Sequence, residues 1–269
     1  MDVALVYMVA GLSSRFGGKI KQFARVGPQG ETFIEISLNQ AMLAGEGTIS
    51  KIIFVVGKHT EAGFRELFKD SYRGIPIVYA RQDFEPALRD RPWGTADAAC
   101  CAAAFLDEPA VICNGDDLYG ESSLKTVINH LHHSDEEITI GIALEEMIPA
   151  QGAVTRGIFK VDNTHVVSAE EIAGITQDNW KDKVPYSCLC NMNLFGLQLD
   201  TLRRLSTHVD AFKKIHIGDR KKECYIHIEL LNVLRETNKN MKIYPMREGW
   251  LGLTNPEDEE MVREKLKNQ

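Results

Sequence analysis

VALVYMVAGLSSRFGGKIKQF, residues 3–23, passes from an unbroken apolar run through a Gly/Ser-rich turn into a cluster of cations. Residues 3–30 hold no Asp or Glu but carry Arg15, Lys19, Lys21 and Arg25, although the 269-residue chain has a net charge of −7. An apolar run without alternation predicts a strand buried on both faces, as in a parallel sheet. Such a strand delivers flexible backbone and positive charge to one place, which suits a polyanionic phosphate.

The pattern repeats outward from this strand. Apolar runs at 52–56, 77–80 and 111–113 are rich in Val and Ile, with helix-like stretches at 32–44, 60–68 and 95–105 between them. Strand–helix alternation predicts an α/β sheet with right-handed crossovers. Beyond a run at 138–143, shorter strands are expected at 157–161, 166–169 and 192–196. A helix over 226–236, a strand over 242–245 and a last helix opening at Asn255-Pro256 follow. With no Pro/Ser-rich linker or internal repeat, the expectation is one domain over 1–269. Its first half, to about residue 145, is expected to be of nucleotide-binding type, and residues 146–269 to form a lid or acceptor half.

Composition narrows the classes. Apolar residues make up 44% and charged residues 26%, as in ordinary globular proteins. An isoelectric point near 5.7 argues against a nucleic-acid surface. No apolar run approaches the ~20 residues of a membrane span, and no leader pattern opens the sequence. The six cysteines form no C-x-x-C pair, and His130, His132 and His133 place no two histidines at i, i+4 on a helix. The expectation is a cytoplasmic chain with reduced thiols and neither nucleic-acid nor membrane partners.

Known phosphate loops can be compared with the opening turn by spacing. A Walker A loop starting at Gly11 needs glycine where Phe16 stands, and Gly18-Lys19 is followed by Ile20 rather than Ser or Thr. A dinucleotide fingerprint would need glycines at 11, 13 and 16, of which only Gly11 is present. What remains is a loop with backbone and hydroxyl donors at Gly11, Ser13 and Ser14 and a guanidinium fork at Arg15. A second segment, AVICNGDDLYG at 110–120, ends a buried strand in two carboxylates, Asp116 and Asp117. Ligands bind beyond the carboxyl ends of strands in open α/β sheets, so this pair is placed to hold a hard cation such as Mg²⁺. Between the two segments, Gln82 could read a base edge, and Gly94, in Pro92-Trp93-Gly94-Thr95-Ala96, could let a flat base approach backbone.

These three segments, in this order, resemble the sugar-phosphate nucleotidyltransferases, or nucleoside-diphosphate-sugar pyrophosphorylases. The opening loop, RPWGTADAA, NGDDLYG, MNLFG and WLGLTNPED carry the resemblance, which runs from about Val3 to about Leu266. It implies a GT-A-like, Rossmann-like α/β fold with a mostly parallel central mixed sheet flanked by helices. It implies transfer of a nucleotidyl group from NTP to a sugar 1-phosphate with Mg²⁺. By the resemblance, Arg15 and Lys21 would be catalytic, and Ala10, Gly11, Ser13, Gln82, Gly94, Thr95 and Gly115 would bind nucleotide. Glu171 and Asn193 would bind the acceptor, and Asp116 the metal.

The sequence also departs from the family pattern. Ser13 stands where glycine is usual, and Lys19-Ile20-Lys21 is one residue longer than the usual spacing, so the two lysines compete for one role. Ile172 replaces a common cation, and Ile228 falls at or next to a common second metal-binding Asp, which leaves Glu229 as the substitute ligand. Transfer to a non-sugar phosphate, as in cytidylyl transfer, and a non-catalytic nucleotide-binding homologue are the alternatives.

Overall fold

A computed structural model describes residues 2–12, 16–149 and 151–267. The chain opens with β1 (Val3–Met8), a 3-10 turn at Lys21–Phe23, α1 (Phe33–Gly45), β2 (Ile49–Val56) and α2 (Glu61–Phe68). β3 (Ser71–Tyr72), β4 (Ile75–Arg81), α3 (Thr95–Ala103), β5 (Ala110–Asn114) and β6 (Asp117–Leu118) follow. Next come α4 (Glu121–His133), β7 (Glu137–Ile142), the long hairpin of β8 (Val154–Asp162) and β9 (His165–Ile175), and α5 (Trp180–Lys183). β10 (Cys188–Leu197), α6 (Leu199–Ile215), α7 (Ile226–Glu236), β11 (Met241–Pro245), β12 (Leu251–Gly252) and α8 (Asp258–Lys267) complete it.

Ten strands form one sheet in the order β3-β4-β2-β1-β5-β10-β7-β11-β9-β8, and β8 also pairs with β10. The first half of the sheet is parallel from β4 through β2 and β1 to β5. On the other side only β11–β7 is parallel, and the remaining pairs there are antiparallel. Parallel pairing is therefore the rule of one half rather than of the whole sheet. Where the chain returns by a hairpin, as at β8–β9, the pairing must be antiparallel.

The lack of alternation in β1 has a plain cause. Val3, Leu5 and Tyr7 face one core with Ile34 and Leu38 of α1 and Leu124 and Val127 of α4. Ala4, Val6 and Met8 face a second core with α3, α6 and α7. Both faces of the strand are dry, and each fully buried aliphatic side chain contributes roughly 1.5–3 kcal/mol. Four alanines of α3 (Ala96, Ala98, Ala99 and Ala102) are buried, which lets α6 and α7 come close. α1 starts on a capping box in which the Glu35 N–H donates to the Thr32 hydroxyl and Glu35 Oε2 accepts from Thr32 N. The last helix begins at Asp258 rather than at Pro256, because the Asp258 carboxylate accepts from the N–H groups of Thr254 and Asn255 and closes a turn there.

Glu137 opens β7 with its carboxylate at the start of α6. Oε2 accepts from the Gln198 N–H at 2.8 Å, and Oε1 accepts from the Thr201 hydroxyl. Burial outweighs these bonds and pushes the carboxyl up from 4.5 to about 7. The folded chain thus holds this proton more tightly than the unfolded chain, so stability falls as pH rises from about 4.5 to about 7. The change is on the order of 3 kcal/mol. Glu137→Gln is expected to flatten that part of the profile in urea unfolding. Equal slopes for wild type and variant across the window would remove Glu137 as its source.

Candidate active site

β1 and β5 are neighbours in register, with Met8 opposite Asn114, so the segments that follow them emerge side by side. A cavity of about 520 Å³ lies there, lined by Ala10, Gly11, Lys21, Gln82, Gly94 and Thr95, and by Asp116 and Asn193. Its size falls within the roughly 300–1,000 Å³ usual for ligand pockets. A larger cavity of about 810 Å³ lies across the 3-10 turn, lined by Phe16, Lys19, Phe23 and Arg25. It shares Lys21 with the first but holds neither Asp116 nor Gln82. The chemistry-bearing residues from three segments converge on the smaller cavity.

Lys21 is fixed by its turn. The Ala24 N–H donates to Lys21 O at 3.1 Å, the Phe33 N–H donates to Ala24 O at 2.9 Å, and Phe23 packs on Phe64. The Lys21 ammonium pairs with Asp116 across the cavity, their side chains 19% and 26% exposed. Lys19 is exposed and lines only the outer cavity. The adjacent carboxylates have unlike surroundings. Asp117 Oδ1 accepts from Trp250 Nε1 at 2.8 Å and Oδ2 from Asn114 Nδ2 at 2.8 Å. Burial, and then the charge of Asp116, push its carboxyl up to about 7. Asp117 is therefore a buried structural anchor, paired through β6 to β12, and Asp116 alone of the two lines the cavity.

The glycines divide by role. A Cβ on Gly11 meets nothing within 4 Å among the described residues, so the space beside it is open. Gly94 has φ +105°, and a Cβ there would lie 2.6 and 2.8 Å from the Cys224 backbone O and N. The crossing Cys224 backbone by itself requires glycine here, while Gly94 also lines the cavity. Gly115 does not line the cavity; a Cβ there would strike Val9. The Thr95 hydroxyl accepts from Ile226 N at 3.0 Å and so caps α7. Gln82 spends Nε2 on Gly94 O and on Asp97 Oδ2. Ser13 and Arg15 lie outside the described residues.

A second polar cluster is built on β9, β10 and α7. β10 is bulged between Asn191 and Phe195 against β7, and Asn193 sits in the bulge at φ +53°. Asn191 Oδ1 accepts from Asn193 N at 2.9 Å, which holds the bulge, and Asn191 Nδ2 lies 3.1 Å from His227 Nδ1. Buried His227 Nε2 lies 3.1 Å from Glu171 Oε1 without being aligned as a hydrogen bond. Bulges of this kind re-aim side chains beside active sites. His227 was not anticipated from the sequence, nor was Gln22, which lines the cavity and whose buried Oε1 has no hydrogen-bond partner among the described residues.

Glu229 needs correction as a metal ligand. Its carboxylate accepts from Asn232 Nδ2 at 3.2 Å, lies 4.0 Å from His208 of α6, and does not line the cavity. Two residues beyond inward-facing His227, it is turned about 200° round the helix. Among the described residues, no group of three or more His, Cys, Asp or Glu is arranged to hold a metal. Asp116 and the orphaned Gln22 Oε1 are nonetheless hard oxygen donors on one wall, the type Mg²⁺ takes when phosphates and water complete its shell. No described helix is long and apolar enough to cross a membrane.

Parallel strands that bring a lysine, a glycine turn and a carboxylate to the C-terminal edge of a mixed sheet give the layout of a ligand-binding α/β protein. The sequence profile of the nucleotidyl transferase family matches residues 19–171, and the chain belongs to that family. It is an enzyme of nucleotidyl transfer onto a phosphate group. No curated protein matches the sequence. Among solved structures, a Bacillus anthracis protein assigned as a glucose-1-phosphate thymidylyltransferase is similar at 13% identity and TM-score 0.72, over 100% of this chain and 96% of that one. A UDP-glucose pyrophosphorylase in complex with UDP-glucose is similar at 16% identity and TM-score 0.67, over 100% and 99%. The inositol-1-phosphate CTP transferase of T. maritima is similar at 14% identity and TM-score 0.65, over 99% and 96%. At these identities the likeness is one of fold.

Proposed function

We propose that this enzyme transfers a nucleotidyl group from an NTP to the phosphate of a sugar 1-phosphate and releases pyrophosphate. The observation that carries the reading is Lys21 paired with Asp116 in a cavity whose wall includes Asn193, the start of the polar acceptor side. An acceptor phosphate oxygen forms a bond to the α-phosphorus, and the α–β bridging P–O bond breaks with its electron pair leaving on pyrophosphate. Phosphate oxygen is already anionic, so no general base is needed. The obstacle is repulsion between two anions, and a lysine held at their meeting point lowers it. Mg²⁺, held by Asp116 and the nucleotide's phosphates, would supply further charge neutralisation. Arg15 is proposed to grip the leaving pyrophosphate.

A sugar acceptor is supported by the cluster of Glu171, His227, Asn191 and Asn193, since paired amide and carboxylate groups suit vicinal hydroxyls. Two of the similar folds are named for glucose compounds and one for inositol, so the acceptor class is open to direct test. Pyrophosphate release is measured with Mg²⁺, the common NTPs, and a panel of phosphorylated sugars and alcohols. Release only with non-sugar phosphates would sink the sugar reading. Glu171→Gln keeps shape but loses charge. It is expected to raise the acceptor KM about tenfold, near the worth of one charge-assisted hydrogen bond, while the NTP KM holds. An unchanged acceptor KM would take Glu171 out of the site.

A further inference from the structure

Gln82 follows β4 on the wall of the nucleotide cavity and is buried. Its Nε2 donates to Gly94 O at 3.0 Å and to Asp97 Oδ2 at 2.8 Å. A carbonyl and a carboxylate oxygen can only accept, so the amide oxygen cannot replace the nitrogen there. The orientation of the amide follows from its neighbours rather than from a choice between two similar atoms. Asp97 is itself buried in α3, and its other oxygen pairs with Lys213 of α6. Burial works against the Lys213 charge, yet the hydrogen bond to Asp97 holds its pKa above the ordinary value. Both amide hydrogens of Gln82 are used, and Oε1 has no hydrogen-bond partner among the described residues.

We propose that Asp97 is a positioning residue that locks the Gln82 amide oxygen toward the nucleobase, so that the site favours bases carrying a ring N–H. The inference rests on the nucleotide reading above. At the middle of the Watson–Crick edge, uracil, thymine and guanine present N–H, whereas cytosine and adenine present a lone pair. Oε1 accepts from the first group. Against the second, Oε1 and the ring-nitrogen lone pair are two facing acceptors, and leaving both unpaired is costly. A free glutamine could rotate its amide and serve either group. Here rotation would turn an oxygen toward Gly94 O and Asp97 together, so the adaptability of the side chain is lost. Asp97 touches no base; it acts through Gln82.

The test is binding of nucleotides to the full chain by calorimetry, with Mg²⁺ and no acceptor, so that turnover does not enter. The tightest of UTP, dTTP and GTP is expected to bind at least about tenfold better than CTP and ATP. Its ring-N-methylated analogue is expected to lose the same factor. In Asp97→Asn, the Lys213 ammonium claims the new amide's oxygen and leaves its NH₂ against that of Gln82. The lock is lost, and the discrimination ratio is expected to fall about tenfold while circular dichroism reports a folded chain. A merely structural role for Asp97 would weaken all five nucleotides alike. CTP or ATP binding as tightly as the others in wild type, or a folded Asp97→Asn with the wild-type ratio, would overturn the inference. If the variant does not fold, the wild-type ratios and the methylated analogue decide. Binding without discrimination defeats the inference alone; no binding by any of the five defeats the nucleotide reading and the inference with it.

Discussion

Replacing Lys21 with alanine is expected to lower kcat for pyrophosphate release about a hundredfold, while Lys19→Ala leaves it within about twofold. The effect expected for Lys21 is that of losing one preorganised charge from the transition state, on the order of 3 kcal/mol. Only Lys21 lines the cavity with Asp116, and only its backbone is fixed by the turn at Lys21–Phe23. Lys19 is exposed and lines the other cavity, where the moving phosphates would not reach it. The Lys21 variant should fold. Asp116 loses its partner but is 26% exposed, so water screens the carboxylate left behind and the change in stability stays below about 1 kcal/mol. Because the charge matters most when the two phosphates meet, kcat and kcat/KM should fall together and the NTP KM should move little. Turnover near normal in Lys21→Ala, or a large loss in Lys19→Ala, would reverse the assignment of the two lysines.

What the sequence could say about this site was local, and what it missed was not. β1, its cation-bearing turn and the strand ending at Asn114 were legible because unbroken apolarity is a property of adjacent residues. The unlike roles of Asp116 and Asp117 were not, since the group that claims Asp117 is Trp250, 133 residues away. Likewise Gln82 could be picked out as a candidate polar group beyond a strand end, but Asp97 and Lys213, which fix the direction of its amide, come together only through the packing of α3 on α6. At Gly94 the sequence suggested only room for a flat base; the backbone of Cys224, which requires glycine there on its own, is again more than a hundred residues on. α6 was overlooked although Leu202, Leu205 and Val209 recur at helical spacing, and β8 and β9 were read as fragments because their polar faces interrupt the apolar runs. Glu229 failed for a reason of angle: a shift of one or two residues along a helix is a small change in sequence and a large one in direction.

Gly94→Ala and Gly11→Ala are expected to separate fold from ligand. At Gly94 an alanine must hold φ +105°, and its Cβ would lie 2.6 Å from Cys224 O. That oxygen already accepts from Ala96 N at 3.0 Å, and Cys224 N donates to Trp93 O at 2.6 Å, so the two strands of chain cannot part without breaking both bonds. Backbone strain of ~1–2 kcal/mol and overpacking of ~1–3 kcal/mol add to about 3 kcal/mol or more. For a chain of this size the melting temperature should drop by roughly 6–12 °C. At Gly11 φ needs no glycine, and the added Cβ meets nothing within 4 Å among the described residues. Its stability should match wild type to within the ~0.5 kcal/mol of an ordinary surface change. The methyl group would instead stand in the space proposed for the triphosphate, and NTP affinity should fall about tenfold, ~1.4 kcal/mol. Thermal unfolding and nucleotide titration on the same two preparations decide the matter. A stable Gly94→Ala would mean that Cys224 is free to move aside, and a Gly11→Ala with wild-type affinity would place the phosphates elsewhere.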